Sequence, residues 1–296
     1  MGRLLLTAFR ATSTDPVTLR IGHTPDMDDA FMFYGIATGT IPMDGLRVEH
    51  IVEDIQTLNR RALNAELDVT AISAAIYPAI SKHYWILSVG SSVGQGYGPI
   101  VIATTPLSVD QLAGRRVAVP GLETTACLLL RLAAPEITLV PMPFEQIPAA
   151  VQRRTVDAGV LIHEGQLTYR DAGLVPVLEL GQWWQQRTKL PLPLGLNVVK
   201  KTLRRHLARR TARLLHESIV HGFANQEAAL AYAMRYGRGT DAARALRFVK
   251  MYVNEDSLMF SKHCREALRV LFEQAFTAGL MPHVPRLSII EPAKDR

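Results

Sequence analysis

The sequence predicts an α/β protein made of two similar units that face each other across a cleft. Three observations predict it. From Val17 onward, short apolar segments alternate with segments of helical periodicity, the pattern of βαβ units and a mainly parallel sheet. A glycine-rich stretch, "GSSVGQGYGP" (Gly90 to Pro99), interrupts that series before a second one begins. Finally, "RALNAELDVTAIS" and "VQRRTVDAGVLIH" share one form: the end of a helix, a short turn, an aspartate, a small apolar strand and a polar residue. Asp68 then corresponds to Asp157 and, roughly, Ser73 to His163, which puts Ser73 and His163 at C-terminal strand ends in two repeated units. Ligands of open α/β sheets bind outside such ends.

The elements follow in order. "VTLRIGH" reads as a strand, "DDAFMFYGIATG" as a helix ending at glycine, and "LRVEHIVE" as a strand. "DIQTLNRRALNAE" is a helix opened by Asp54, a good N-cap. "DVTAIS" is a strand, "AAIYPAISKH" a helical stretch interrupted at Pro78, and "WILSV" a strand. Because the strand "IVIAT" follows the glycine-rich stretch where a helix would be needed, a linker or cleft-wall loop is expected there rather than a phosphate loop. The second unit reads "RRVAVPG" strand, "TTACLLLRLAA" helix, "ITLVPM" strand, "FEQIPAAVQRR" helix and "AGVLIH" strand. "LVPVLEL" and "LPLGLNVVKK" add two strands, and Thr202 to Gly279 is nearly all helix.

Bulk properties narrow the function. A chain of 296 residues has room for two modest domains. Its formal charge of +6 is concentrated: "KKTLRRHLARRTAR" (Lys200 to Arg213) holds seven of the 33 basic residues and no acid. A nucleic-acid role would rest on that segment alone, and none is expected. Its leucines recur at helical spacing, so it reads as an amphipathic helix with a solvated basic face, a candidate for contact with a membrane surface. Two distant cysteines, Cys127 and Cys264, give neither a disulfide framework nor zinc spacing, and a reducing, cytoplasmic compartment is expected. The apolar part of "MGRLLLTAFRATSTDPV" is too short for a secretion signal, and residues 1–16 read as a disordered leader.

Four constellations carry chemistry. In "VAVPGLETTACLLL", Thr124 and Thr125 open a helix after a Pro-Gly turn; they serve as caps or, with the free amides there, hold a carboxylate or phosphate. In "HTPDMDDAF", His23 ends a strand, and Asp26, Asp28 and Asp29 precede or open a helix. Acids there complement the helix dipole, and they could equally bond a ligand; adjacent Asp28 and Asp29 diverge too much for a metal site, and none is expected. The paired Trp183 and Trp184 of "LGQWWQQRTKLPLPLG" read as packing anchors or cleft wall. His163 is either a satisfied strand-end histidine or a base; with no serine or cysteine at a nucleophile elbow, the chemistry open to it is proton abstraction beside a carbonyl.

Those residues carry a resemblance. "VEDIQTLNRRAL", "VGQGYGPIVIA", "VAVPGLETTA", "AGVLIHEGQLTYRDAGL" and "LGQWWQQRTKLPLPLG", in this order and with "YVNEDS" after them, resemble the 1,4-dihydroxy-6-naphthoate synthases of the futalosine route to menaquinone. The resemblance implies a two-domain periplasmic-binding-protein-like (type II) α/β fold with an interdomain cleft. The expected limits are residues 17–100 and 200–296 for a discontinuous first domain and 101–199 for the second. It implies cleavage of cyclic dehypoxanthinylfutalosine to 1,4-dihydroxy-6-naphthoate and dihydroxyacetone, with no metal or redox cofactor and an aromatic carboxylate as the small-molecule partner. A homodimer is compatible with the family. Carried over by motif, the proton-abstracting histidine is His163; the substrate-binding threonines are Thr124 and Thr125; the cleft-lining strand end is Ala71, Ile72 and Ser73; and the acid of the first motif is Asp29. His23, a gain relative to that motif, is expected as a further substrate contact. The chain departs from the family where many relatives read S-P-C-P-N-D-T-F before the first helix, and Ala71 stands where a lysine is frequent. The rival expectations are a solute-binding protein of the same fold and the sister chorismate dehydratase.

Overall fold

The computed structural model describes residues 15–293. The expected leader thus falls almost wholly outside the described residues. The chain opens with β1 (Val17–His23), α1 (Met27–Met32), α2 (Tyr34–Ala37), β2 (Leu46–Val52), α3 (Ile55–Leu63), β3 (Val69–Ser73), α4 (Tyr77–Ile80), β4 (Tyr84–Leu87) and β5 (Ser92–Gly94). It continues through β6 (Ile100–Ala103), β7 (Arg116–Val119), α5 (Thr125–Ala133), β8 (Thr138–Pro141), α6 (Ile147–Gln152), β9 (Ala158–Leu161) and β10 (Val175–Glu179). Last come α7 (Leu180–Thr188), β11 (Leu192–Lys200), α8 (Arg204–Ala224), α9 (Gln226–Ala233), α10 (Ala242–Tyr252), α11 (Glu255–Leu258), α12 (Lys262–Thr277) and β12 (Ile289–Ile290).

These strands form two sheets. One has seven strands in the order β12-β4-β11-β3-β1-β2, with β5 added on β11; the other has five, β10-β6-β9-β7-β8. The internal repeat is real at the level of hydrogen bonds. Asp68 Oδ2 accepts from the Arg20 amide at 2.9 Å, and Asp157 Oδ2 accepts from the Arg116 amide at 2.8 Å. In each unit the aspartate before an inner strand therefore ties that strand to its parallel neighbour, Asp68 to the middle of β1 beside β3 and Asp157 to the start of β7 beside β9. All five residues of β3 are buried, as suits a strand flanked on both sides by others.

Two expectations are corrected. The sheets are mixed rather than mainly parallel: β11 runs antiparallel to β3, β4 and β5, and β6 antiparallel to β9 and β10. The strand Leu192–Lys200, assigned to the second domain by the 199 limit, lies in the first sheet, where Leu196 faces Ile72 and Val198 faces Thr70. The chain crosses back before β11, around α7, because the apolar alternation of "LPLGLNVVK" finds its partners in buried β3 and not in the edge strands of the second sheet.

Local reasons for the helices are visible. Asp54 Oδ1 accepts from the amides of Gln56 and Thr57 and starts α3, as expected. The predicted helix after β1 is two short helices, divided at Phe33. Pro78 does not interrupt a helix; it sits at the start of α4, where a missing N–H costs nothing. In α8 the basic face is partly engaged by the protein itself: Arg210 bonds the Asp44 carbonyl, Arg213 pairs with the Asp44 carboxylate, and Arg205 lies over the Trp85 ring. Cys127 and Cys264 are free and buried, with burial pushing the Cys127 thiol up to about 11. Among the described residues no helix is long and apolar enough to cross a membrane.

Candidate active site

A cleft lies between the two sheets. Ala71, Ile72 and Ser73 line it from the end of β3, and Thr124, Thr125 and Ala126 line it from the start of α5. The expected strand-end and threonine groups are thus brought together. Ser73 is fixed on both sides by Asn59, which accepts from its amide at 2.8 Å and donates to its hydroxyl at 3.0 Å.

The two threonines have different duties. The Thr124 hydroxyl accepts from the Cys127 amide at 3.1 Å and donates to the Gly121 carbonyl at 2.8 Å, so it is the N-cap of α5. The Thr125 hydroxyl donates to Leu194 O at 2.7 Å and accepts from the Ala75 amide at 3.2 Å, stitching α5 to both neighbouring segments. The helix start lines the cleft with its dipole end, a favourable place for an anion.

Acids occupy the opposite wall. Asp26, Asp28 and Asp29 all border the cleft. Asp29 Oδ2 accepts from the Thr24 amide and hydroxyl at 2.7 and 2.9 Å, which closes the turn after β1. Asp28 accepts from the Ser92 hydroxyl at 2.9 Å, and burial together with the Asp29 charge pushes it up to about 7. Burial also raises Asp29, to about 6, against the Thr24 hydrogen bonds. Among the described residues, no group of three or more His, Cys, Asp and Glu is arranged to hold a metal ion.

His23 is a correction. It is 3 % exposed and does not line the cleft. Its ring stacks on Phe33, with centroids 4.6 Å apart, Nδ1 donates to Thr24 O at 3.2 Å, and Nε2 lies 3.0 Å from His50 Nδ1. Both ring nitrogens are spent on packing the end of β1. The tryptophans are also anchors and not cleft wall: Trp184 is fully buried and its indole donates to Pro191 O at 2.9 Å, while Arg187 covers Trp183.

His163 follows β9 at the cleft's edge. Its neighbour Ile162 lines the cavity, whereas His163 itself does not; the imidazole is 7 % exposed and set edge-on to Phe144 with centroids 4.3 Å apart. Nδ1 accepts from the Gly165 amide at 3.1 Å, so the neutral ring carries its proton on Nε2. Burial holds its pKa down at about 4; the neighbouring Glu164 opposes that and Arg238 reinforces it. Among the described residues five buried side-chain polar atoms have no partner, and four belong here: His163 Nε2, Glu164 Oε2, Gln166 Nε2 and, on the cleft wall, Asn197 Oδ1. Orphaned buried polar atoms are rare enough that a cluster of them marks a place prepared for another group.

Sequence reasoning missed Asn197, Phe248 and Tyr252 on the cleft wall. Tyr252 donates to Gln166 Oε1 at 2.9 Å and so joins the C-terminal helices to the segment after β9. Its only sequence signal was its place at the head of "YVNEDS".

Comparisons with known proteins find relatives over most of the chain. A family model described as menaquinone biosynthesis matches residues 19–277. A 1,4-dihydroxy-6-naphthoate synthase of Thermus thermophilus is 37% identical over 268 residues, 90% of this chain and 97% of the relative. The Streptomyces coelicolor enzyme of the same name is 34% identical over 271 residues, 90% and 95% of the two chains. A solved structure, protein AF1704 from Archaeoglobus fulgidus, superposes with a TM-score of 0.86 at 49% identity, over 89% of this chain and 98% of that one. The alkanesulfonate-binding protein of Xanthomonas axonopodis, at 13% identity and a TM-score of 0.72 over 93% and 98% of the chains, shares the two-lobed periplasmic-binding-protein-like fold and shows the fold alone. On the family match and the two enzyme relatives, the chain belongs to the 1,4-dihydroxy-6-naphthoate synthase family of menaquinone biosynthesis.

Proposed function

We propose that this chain is a carbon–carbon lyase that cleaves cyclic dehypoxanthinylfutalosine to 1,4-dihydroxy-6-naphthoate and dihydroxyacetone, with His163 as the base. The observation that carries the role of His163 is the buried segment His163 to Gln166, which presents a neutral imidazole and three orphaned polar atoms beside the cleft. A base must be unprotonated before it acts, and an imidazole held near 4 is neutral at physiological pH. Uptake of a proton uses the Nδ1 lone pair now occupied by Gly165, so the ring leaves that bond as substrate enters.

The reaction then runs without a covalent intermediate. His163 removes a proton from carbon next to the substrate ketone, and the electron pair of the broken C–H bond opens the sugar-derived ring. Carbon–carbon cleavage releases the three-carbon dihydroxyketone, and aromatisation of the remaining rings draws the sequence forward. The naphthoate carboxylate docks at the start of α5, where the helix dipole favours an anion. Lobe closure excludes water and aligns base and C–H bond.

The test is a single-turnover assay with purified protein and cyclic dehypoxanthinylfutalosine, following naphthoate absorbance for wild type beside His163→Asn. Loss of a general base removes on the order of 10²–10⁴-fold in rate, so His163→Asn should bind substrate, keep its fold and form almost no product. Product formed equally by both proteins would remove His163 from the chemistry. A folded wild type that binds substrate and makes no product would sink the lyase reading in favour of a binder.

A further inference from the structure

The turn between α9 and α10 reads Gly237-Arg238-Gly239. Arg238 has a left-handed backbone, φ +47°, uncommon for a long side chain. Its guanidinium reaches three groups around His163. Nη1 donates to Glu164 Oε1 at 2.9 Å; Nη1 and Nη2 each lie 3.2 Å from Asp26 Oδ1; and the cation sits 4.8 Å from the centroid of Phe144, the ring set edge-on to His163. Asp26 precedes α1 in the first lobe, whereas Glu164 and Phe144 belong to the second. Arg238 thus spans the lobes and approaches His163 through two separate neighbours.

We propose that Arg238 is a positioning residue for His163: bridging the two lobes, it holds the Glu164 carboxylate as its own counter-ion and so keeps the imidazole free to accept a proton. The proposal rests on the reading of His163 as the base.

The Glu164 side chain is 8 % exposed, Oε2 has no partner, and that oxygen lies 3.9 Å from His163 Nδ1. A buried carboxylate needs a cation. Two are within reach, the guanidinium and a protonated imidazole. With Arg238 in place the imidazole need not be charged. Without it, protonation of His163 becomes the means of neutralising Glu164, and the Nδ1–H so formed turns to the carboxylate and away from Gly165. The groups facing His163 are Glu164 on its own segment, Arg238 from the turn, Asp26 beyond Arg238, and the Tyr252 phenol of α10, which bonds Gln166. The direction of each charge on the imidazole agrees: Glu164 raises its pKa and Arg238 lowers it.

The experiment measures kcat/KM against pH for wild type, Arg238→Gln, Arg238→Lys, the double variant Arg238→Gln/Glu164→Gln, and His163→Asn. In parallel, the His163 imidazole resonance is titrated by NMR, assigned through its loss in His163→Asn. In wild type the midpoint is expected at about 4. Arg238→Gln should raise both the acid limb and the NMR midpoint by roughly one pH unit or more, the usual effect of a nearby unpaired carboxylate. Arg238→Lys keeps the charge and should shift them less, and the double variant should return them to wild type. An unmoved midpoint in folded Arg238→Gln, or a double variant whose limb stays raised, overturns the proposal, the latter because cleft loosening and not the Glu164 charge would be the cause. A fully active His163→Asn overturns the base reading and the proposal with it, whereas an unmoved midpoint beside an inactive His163→Asn overturns the proposal alone.

Discussion

At the scale of single residues, the imidazole of His163 has little room to move on its Gly165 side. A Cβ on Gly165 would come 3.1 Å from His163 Cε1 and 3.3 Å from Nδ1, closer than ordinary van der Waals contact. Gly165→Ala should therefore push the ring of the proposed base by a few tenths of an ångström, less than the displacement near 1 Å that costs roughly 100-fold in rate. The expected result is a fall in kcat below about 100-fold with an almost unchanged melting temperature; a wild-type kcat would show that the ring moves freely or is not the base. His163 and Ser73 were both located from the sequence, because a small apolar strand ending in a polar residue marks a strand end wherever it occurs. His23 met the same criterion and yet serves the core. The place of the His23 ring is fixed by Phe33 and His50, which arrive from elsewhere in the chain.

Elements carry the next predictions. α5 starts at the cleft because Thr124 caps it, so Thr124→Ala should cost about 1 kcal/mol of stability in urea unfolding and weaken carboxylate binding at the same helix end. An unchanged stability would mean that the Pro-Gly turn alone ends the strand and starts the helix. α7 begins where the chain returns toward the first lobe, and there the backbones touch. A Cβ on Gly181 would lie 2.1 Å from the Tyr97 carbonyl carbon and 2.5 Å from the Gly98 amide nitrogen, contacts that only backbone movement relieves. Gly181→Ala should destabilise by about 1–3 kcal/mol, read as a lower urea midpoint. The cap was readable from the sequence because capping is local. The need for glycine at 181 was not, since its partner lies more than 80 residues earlier in the glycine-rich stretch.

For the whole molecule, buried acids and buried histidines oppose each other as pH changes. Asp28 is raised to about 7 from an ordinary value of 3.8. Its contribution therefore favours folding below 3.8 and is lost as pH rises through about 7. His50 and His163 are lowered from 6.5 to about 4 by burial, so their contribution is present above 6.5 and is lost as pH falls toward 4. Asp28→Asn removes the cost of a buried charge while keeping an acceptor for Ser92. It should stabilise the protein by about 1–3 kcal/mol at pH 8, with the gain shrinking toward pH 4. A gain that is constant with pH would mean that Asp28 titrates alike in the folded and unfolded chain, with no upward shift.

The sequence by itself determined the alternation of elements, the repeat built on Asp68 and Asp157, the caps at Asp54 and Thr124, and the strand-end positions of Ser73 and His163. These follow from interactions within a few residues: periodicity, capping and turn chemistry. Its motifs also identified the family. Tertiary structure alone decided that β11 returns to the first sheet, that His23 faces the core, and that Tyr252 and Arg238 reach the segment after β9. Each of those outcomes depends on which distant surface buries a side chain or neutralises a charge. Nothing in the local sequence of "GRG" says that its arginine ends beside Glu164; only the packing of distant segments of the chain brings them within 2.9 Å.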